Sequence, residues 1–172
     1  SVLTDSFAQI HTSMPSTGAW IALATGILLL FCSGFVSASE IAFFSLSPSD
    51  MNEIDDEKHS SDTKIKGLLA KSERLLATIL ISNNLVNVAI IMLLNYFILQ
   101  WIDFGAAEWI EFLFMTVLLT FLLLLFGEIV PKIYSASHTL SFCRFSAPVM
   151  VVLDKLWYPI SSFLLSFQVV VE

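Results

Sequence analysis

The chain contains few charged residues: Asp, Glu, Lys and Arg make up 13% of its 172 residues, about half the share of an average soluble domain. It has two cysteines, and their spacing suggests neither a disulfide framework nor a zinc site. Metalloprotease, serine-hydrolase and Gly-rich phosphate-loop motifs are missing, and a net charge of −7 gives no support for nucleic-acid binding. These absences argue against an enzyme and against a disulfide-stabilised secreted domain.

Apolar sequence is what the chain has in abundance, with 56% hydrophobic residues and a mean hydropathy of +0.82. A transmembrane helix needs about 20 apolar residues. The sequence therefore predicts an all-α integral membrane domain with three transmembrane helices, at about residues 18–46, 75–101 and 109–127. Trp20, Trp101 and Trp109 lie near the ends of these spans, where amphipathic rings prefer the membrane interface.

The basic residues predict the orientation. All eight lie either between the first two spans or after the third, and the N-terminal segment and the 102–108 loop contain none. They are Lys58, Lys64, Lys66, Lys71, Arg74, Lys132, Arg144 and Lys155. By the positive-inside rule, we expect a multi-pass protein of the cell (inner) membrane with its N-terminus outside and its C-terminus in the cytoplasm.

Two segments lie outside the spans. The polar segment 47–74 predicts a cytoplasmic helical hairpin, with Ser47 capping the first helix and Asp62 opening the second. The apolar tail predicts an amphipathic juxtamembrane helix at about 141–170. A fourth span is the alternative, but it would carry the charged pair Asp154–Lys155 in its middle, which the interfacial reading explains better.

Glu128 is the most unusual residue of the chain, because it follows an uncharged run at residues 112–126. A carboxylate at membrane depth costs roughly 2.5–3.5 kcal/mol even on lenient scales. Gly127 precedes it and Pro131 follows it, and both residues loosen a helix. Carbonyl oxygens freed there can join the carboxylate, which is how membrane proteins build cation sites.

The other two spans carry oxygen donors at helical spacing. Ser33 and Ser37 are four residues apart in the first span, and Asn83 and Asn87 are four apart in the second, so each pair shares a helix face. Glu40 ends the polar cluster of the first span. If these faces converge, they line a cavity with hydroxyl, amide and carboxylate oxygens, which suit hard cations such as Mg²⁺ or Na⁺.

Ordinary structural roles are the alternatives for each of these residues. Serines in membrane helices often serve close packing, and asparagines often hydrogen-bond across helices. Glu128 has a local partner in Lys132, four residues on, although Pro131 disturbs the turn between them and argues against that pair. An intramembrane hydrolase would need a second catalytic carboxylate, and nothing around Glu40 supports that role.

Three strings occur in order: Ser33–Glu40 (SGFVSASE), Ser82–Asn87 (SNNLVN) and Gly127–Lys132 (GEIVPK). Together they resemble the DUF21 transmembrane domain of the CorC/CNNM family, and the resemblance covers residues from about 18 to 170. GEIVPK is the most specific of the three. The stretch Ser45–Asp50 further resembles a GldE-like branch named for gliding motility.

The resemblance implies a Mg²⁺ transporter, generally an exporter driven by Na⁺ entry. It also implies a homodimer of three-helix domains, a belt-like juxtamembrane helix in contact with membrane lipid, and cytoplasmic CBS modules that bind ATP with Mg²⁺, expected beyond residue 172. By match, the Mg²⁺ ligands are Ser33, Ser37, Asn83, Asn87, Gly127 through its carbonyl, and Glu128. One carboxylate against a divalent ion leaves the site underneutralised, so we expect weak, reversible binding.

A non-transporting membrane scaffold that recruits partners through the 47–74 hairpin and the tail is the competing interpretation.

Overall fold

The structure, a computed structural model, describes residues 2–55 and 59–171, with side chains through residue 167. In chain order the described elements are helix α1 (Val2–Ala8), strand β1 (His11–Thr12), helices α2 (Thr17–Phe44), α3 (Pro48–Glu53), α4 (Ser60–Ala70) and α5 (Ser72–Trp101), strand β2 (Ile102–Asp103), helix α6 (Glu108–Leu122), a π-helical segment (Leu123–Ile129), and helices α7 (Val130–Ser137), α8 (Thr139–Leu156) and α9 (Tyr158–Val171). Lys58, one of the basic residues used above, lies outside the described part.

Three helical stretches are long and apolar enough to cross a membrane: α2, α5, and the continuous stretch Glu108–Ser137 made of α6, the π segment and α7. This confirms the predicted all-α membrane class with three candidate spans. The third stretch continues to Ser137, well past the expected end at residue 127. It stays helical through Pro131, and the turn that precedes this proline is widened to π geometry, which makes room for the proline ring.

Helices α2 and α5 run antiparallel and form the centre of the domain. Near one end, the Ser16 hydroxyl donates to Gln100 Oε1 over 2.8 Å and accepts from the Ala19 amide, which caps α2. At the same end, β1 and β2 pair, with His11 opposite Asp103. Apolar side chains from α2, α5 and α6 fill the interior next to this strand end: Ala19, Ile90, Leu94, Phe97, Ile98, Met115 and Leu119.

The hairpin of α3 and α4 lies at the opposite end, which we call the hairpin end. Ser47 caps α3 as the sequence predicts, and it forms a reciprocal capping box with Asp50. Helix α4 begins at Ser60, two residues before the predicted start, and Asp62 lies in its first turn. Asp62 is fully buried and accepts hydrogen bonds from Arg144 at 3.0 and 3.2 Å. This ion pair fastens the hairpin to α8.

The tail forms two helices, and not the single helix expected over 141–170. Helices α8 and α9 meet at an angle of 71°, with Trp157 at the corner and Pro159 in the first turn of α9. Arg74, near the start of α5, holds this corner: it pairs with Asp154 at 3.0 Å and lies 3.9 Å above the Tyr158 ring. By length and composition the bent pair is apolar enough to form one broken span, which is the alternative given above for the tail.

Candidate cation site

Glu128 lies in a widened helical turn. Residues Leu123–Ile129 are π-helical, and the Val130 amide donates to the Leu125 carbonyl, five residues back. Such segments are rare and occur frequently at functional sites. Gly127 and Pro131 were expected to loosen the helix here. The structure shows that the loosening takes the form of a wider turn inside an unbroken helical stretch.

Helix α2 approaches this turn at backbone distance. A Cβ added at Gly34 would lie 2.9 Å from Pro131 Cγ and 3.0 Å from the Phe126 carbonyl oxygen, and a Cβ at Gly127 would lie 3.2 Å from Ser33 Oγ. A larger side chain at Gly34 would push the two helices apart, and one at Gly127 would displace the Ser33 hydroxyl. The glycines therefore bring the Ser33 hydroxyl against the segment that carries Glu128.

Three side-chain oxygens from α2 and α5 lie close together, and only the hydroxyl among them carries a proton. Ser33 Oγ, which is fully buried, lies 2.9 Å from Asn83 Oδ1 and 2.7 Å from Asn87 Oδ1. A serine hydroxyl has one proton and the two amide oxygens have none. The cluster therefore has more lone pairs than donors, an arrangement that a cation stabilises.

Glu128 joins the third helical stretch to this cluster. Its Oε1 accepts a hydrogen bond of 2.9 Å from Asn83 Nδ2. An ionised carboxylate accepts only, so the amide nitrogen of Asn83 must face Glu128 and its oxygen must face Ser33. The contacts run from Glu128 through Asn83 and Ser33 to Asn87, and they connect all three candidate spans.

Two further hydroxyls are buried on the same two helices. Ser37 is on the same face of α2 as Ser33, one turn nearer the hairpin end, and it is fully buried; Ser82 precedes Asn83 on α5 and is 4% exposed. Neither Oγ has a hydrogen-bond partner among the described residues. A buried polar group without a partner is costly, so both hydroxyls have lone pairs left for a ligand. The sequence reasoning did not select Ser82, although a hydroxyl beside Asn83 in an uncharged span was a usable signal.

Lys132 is the second residue that the sequence reasoning undervalued. Its Nζ lies 3.2 Å from Glu128 Oε2 and 3.8 Å from Glu40 Oε2. The expectation that Pro131 disfavours the Glu128–Lys132 pair is wrong, because the stretch stays helical through Pro131 and the two side chains meet. The ammonium therefore connects the carboxylate of the π segment to one on α2.

The six predicted site residues are placed as follows. Ser33, Asn83, Asn87 and Glu128 form the chain of hydrogen bonds, Gly127 lies against Ser33, and Ser37 is enclosed one turn away. Within residues 2–55 and 59–171, no group of three or more His, Cys, Asp or Glu side chains has metal-site geometry. The arrangement consists of neutral oxygens and one directly attached carboxylate, which is chemistry suited to a hard cation.

Comparison with known proteins identifies the family. The profile described as the cyclin M transmembrane N-terminal domain matches residues 24–171. A protein from Haemophilus influenzae, described as a UPF0053 protein, is 32% identical over 149 residues, which are 86% of this chain and 33% of the relative. The chain thus spans a third of that relative's length. The GldE-like branch stays a prediction. The chain belongs to the cyclin M (CNNM) family of transmembrane domains.

Proposed function

We propose that this domain carries Mg²⁺ across the membrane through the site between its three helical stretches. The family is generally linked to the transport of Mg²⁺ and other divalent cations. The observation that carries the proposal is the polar cluster at Ser33, because a buried hydroxyl and two side-chain amides from two helices meet there and are joined through Asn83 to a carboxylate of the third helical stretch. The proposed ligands are the six residues named above: Ser33, Ser37, Asn83, Asn87, the Gly127 carbonyl and Glu128.

The chemistry of the cluster suits a transported ion better than a permanently bound one. Mg²⁺ is reluctant to lose water and demands near-octahedral geometry, so several oxygens must be in place before it arrives. The cluster supplies them on rigid helices. A single carboxylate leaves one positive charge of Mg²⁺ uncompensated, so the ion binds weakly enough to leave. Release on the other side requires that the site open to the two sides in turn.

Charge supports a proposed orientation and a proposed coupling ion. The described basic residues lie on α4, at Lys71 between α4 and α5, at the start of α5, and on α7 and α8, at or near the hairpin end. By the positive-inside rule, that end lies on the cytoplasmic side of the cell (inner) membrane and the N-terminus lies outside. Neutral oxygens with one carboxylate also suit Na⁺. We therefore propose Na⁺-coupled Mg²⁺ export.

A homodimer is part of the same proposal. The stretch Glu108–Ser137 leaves many large apolar side chains uncovered, among them Phe112, Val117 and Phe121. Membrane lipid or a second copy must cover them, and two-fold dimers are the commonest assembly. We propose a parallel dimer that forms through the membrane helices. We also propose that the full-length protein carries ATP-binding CBS modules.

The proposal is tested by Mg²⁺ flux in liposomes that contain the full-length protein, with and without an inward Na⁺ gradient. We expect flux that the Na⁺ gradient accelerates, and we expect Glu128→Gln to abolish it while the protein still inserts. Glu108→Gln is the matched control, since Glu108 is an exposed carboxylate at the other end of the same helical stretch. A scaffold without transport activity would give no flux in the wild type, and wild-type flux in Glu128→Gln would refute the site.

The asparagines are tested by thermal stability. Only a bound ion stabilises by mass action, so ligand roles for Asn83 and Asn87 predict that Asn83→Ala and Asn87→Ala shrink the rise in melting temperature caused by Mg²⁺. Asn95→Ala, near the strand end of the same helix, should keep that rise. Equal Mg²⁺-induced stabilisation in all four proteins would show that the two asparagines only connect helices.

A further inference from the structure

Lys132 lies between two carboxylates that belong to different helices. Its Nζ is 3.2 Å from Glu128 and 3.8 Å from Glu40, and the three side chains are 27–33% exposed. The group has two negative charges and one positive charge. Its ammonium is therefore shared, and it contacts Glu128 more closely than Glu40.

Glu128 uses both of its carboxylate oxygens in this arrangement. Oε1 accepts from Asn83 at 2.9 Å, and Oε2 faces the ammonium of Lys132. A divalent ion that binds Glu128 next to Ser33 would therefore meet a unit positive charge on the same carboxylate. Like charges at such distances repel strongly wherever water does not screen them, so either the ammonium moves or the ion binds poorly.

Glu40 offers the ammonium a second position. It is seven residues after Ser33, on the same face of α2, and so about 10 Å further along the helix toward the hairpin end. Lysine has a flexible four-carbon stem and a compact charge that can change partners. A small rotation of the stem closes the 3.8 Å contact with Glu40 and takes the charge away from the Ser33 cluster.

We propose that Lys132 is a tethered counter-ion of the cation site, which neutralises Glu128 while no metal is bound and transfers to Glu40 when Mg²⁺ binds. This inference rests on the proposed function and adds a residue that sets affinity and selectivity. If Na⁺ takes the place of the ammonium beside Glu128, the charge facing the carboxylate is unchanged. If Mg²⁺ takes that place, the carboxylate faces one more positive charge. Lys132 therefore weakens Mg²⁺ binding, and it weakens Na⁺ binding more than Mg²⁺ binding, without excluding the Na⁺ that coupled export requires.

A purely structural role makes a different prediction. If the Lys132 ammonium only ties α7 to α2, its removal lowers thermal stability equally with and without Mg²⁺ and leaves the Mg²⁺ affinity unchanged. A counter-ion role changes the affinity, and it does so with opposite signs for the lysine and for Glu40.

The test is a thermal-shift titration of the full-length protein in lipid nanodiscs with MgCl₂ as the probe. For Lys132→Met, we expect the Mg²⁺ concentration for half-maximal stabilisation to fall about fivefold, the upper end of what a partly exposed ion pair contributes to a binding constant. Glu40→Gln should raise that concentration several-fold, since Lys132 then has no second carboxylate. Lys132→Arg should restore most of the wild-type value. Lys155→Met, the same substitution at an exposed lysine of α8, should not change it.

Na⁺ gives an independent arm. Lys132→Met should gain stability from NaCl relative to choline chloride at equal ionic strength, and it should do so at lower NaCl concentrations than the wild type. The inference is overturned if Lys132→Met binds Mg²⁺ with unchanged or weaker affinity while the wild type responds to Mg²⁺; the proposed function then stands. If Lys132→Met does not fold, the effect of Glu40→Gln decides by its sign. A wild type that gains no stability from Mg²⁺ overturns both proposals.

Discussion

Replacing Gly34 with alanine tests whether backbone contact between α2 and the third helical stretch holds the site together. The added Cβ would lie 2.9 Å from Pro131 Cγ and 3.0 Å from the Phe126 carbonyl oxygen, where ordinary contacts begin at 3.4 Å. Both obstacles are stiff, because one is a proline ring and the other is backbone. Helix α2 must therefore retreat by roughly half an ångström, and overpacking of this kind costs about 1–3 kcal/mol.

Gly67 is the matched control. It lies inside α4, and nothing is within 4 Å of the position its Cβ would take. Alanine exceeds glycine in helix propensity by about 1 kcal/mol, and that gain applies to both variants. The difference in unfolding free energy between Gly34→Ala and Gly67→Ala therefore isolates the clash, and we expect about 1–3 kcal/mol. Gly26→Ala should fall between them, because its Cβ would meet the movable tip of the Leu94 side chain at 2.9 Å.

Thermal unfolding of the three variants in nanodiscs, each with and without Mg²⁺, measures both stability and site assembly. Ser33 directly precedes Gly34, so a retreat of α2 should also reduce the Mg²⁺-induced stabilisation. Gly67→Ala should keep that stabilisation in full. If Gly34→Ala is as stable as Gly67→Ala and responds equally to Mg²⁺, the close approach does not determine the site.

Three further outcomes are expected. The Arg144 side chain donates hydrogen bonds to Asp62 and holds the pKa of that carboxyl below its usual value; this stabilisation is complete above the unfolded pKa of about 3.9 and is lost as the pH falls through the lower folded pKa. Melting curves between pH 7 and pH 3 should therefore show Asp62→Asn destabilised at neutral pH but less sensitive to acid, and parallel curves would contradict this. Gly127→Ala puts a methyl group 3.2 Å from Ser33 Oγ and should weaken Mg²⁺-induced stabilisation several-fold in the same thermal titration. Ser82→Ala removes a buried hydroxyl without a described partner and should raise metal-free stability by about 1 kcal/mol, which a loss of stability would refute.

The spans and the convergence of polar faces follow from sequence, because both depend on regular helical spacing. Ser33 and Ser37, like Asn83 and Asn87, are one turn apart, so any packing of α2 on α5 that buries one of a pair brings the other near. The structure places Ser33 within 2.9 Å of both asparagine side chains. Once one residue of each pair is known to face the other helix, regular spacing places the second residue as well, and nothing more about the rotation of the helices is needed.

Two features do not follow from the sequence pattern: the contact of Lys132 with Glu40 and the bend in the tail. The contact between Lys132 and Glu40 depends on the rotation of α7 after the π segment, and no local pattern encodes that rotation. The corner at Trp157 depends on Arg74, more than 80 residues earlier in the chain, which pairs with Asp154 and lies over Tyr158. Such long-range contacts decide geometry that local propensity leaves open.

The π segment has a consequence for insertions and deletions. Each π-helical turn holds more residues than an α-helical turn, so the segment resets the angular relation between α6 and α7. Four consecutive leucines, residues 122–125, lead through it, and removing one would change neither the apolar character of the span nor its length by more than about 1.5 Å. In a regular α-helix the same deletion would turn Glu128 and Lys132 by about 100° relative to α6. The number of residues between Thr120 and Glu128 is therefore tied to the π turn: deleting one leucine either turns the Glu128–Lys132 pair relative to α6 or removes the π turn that precedes it.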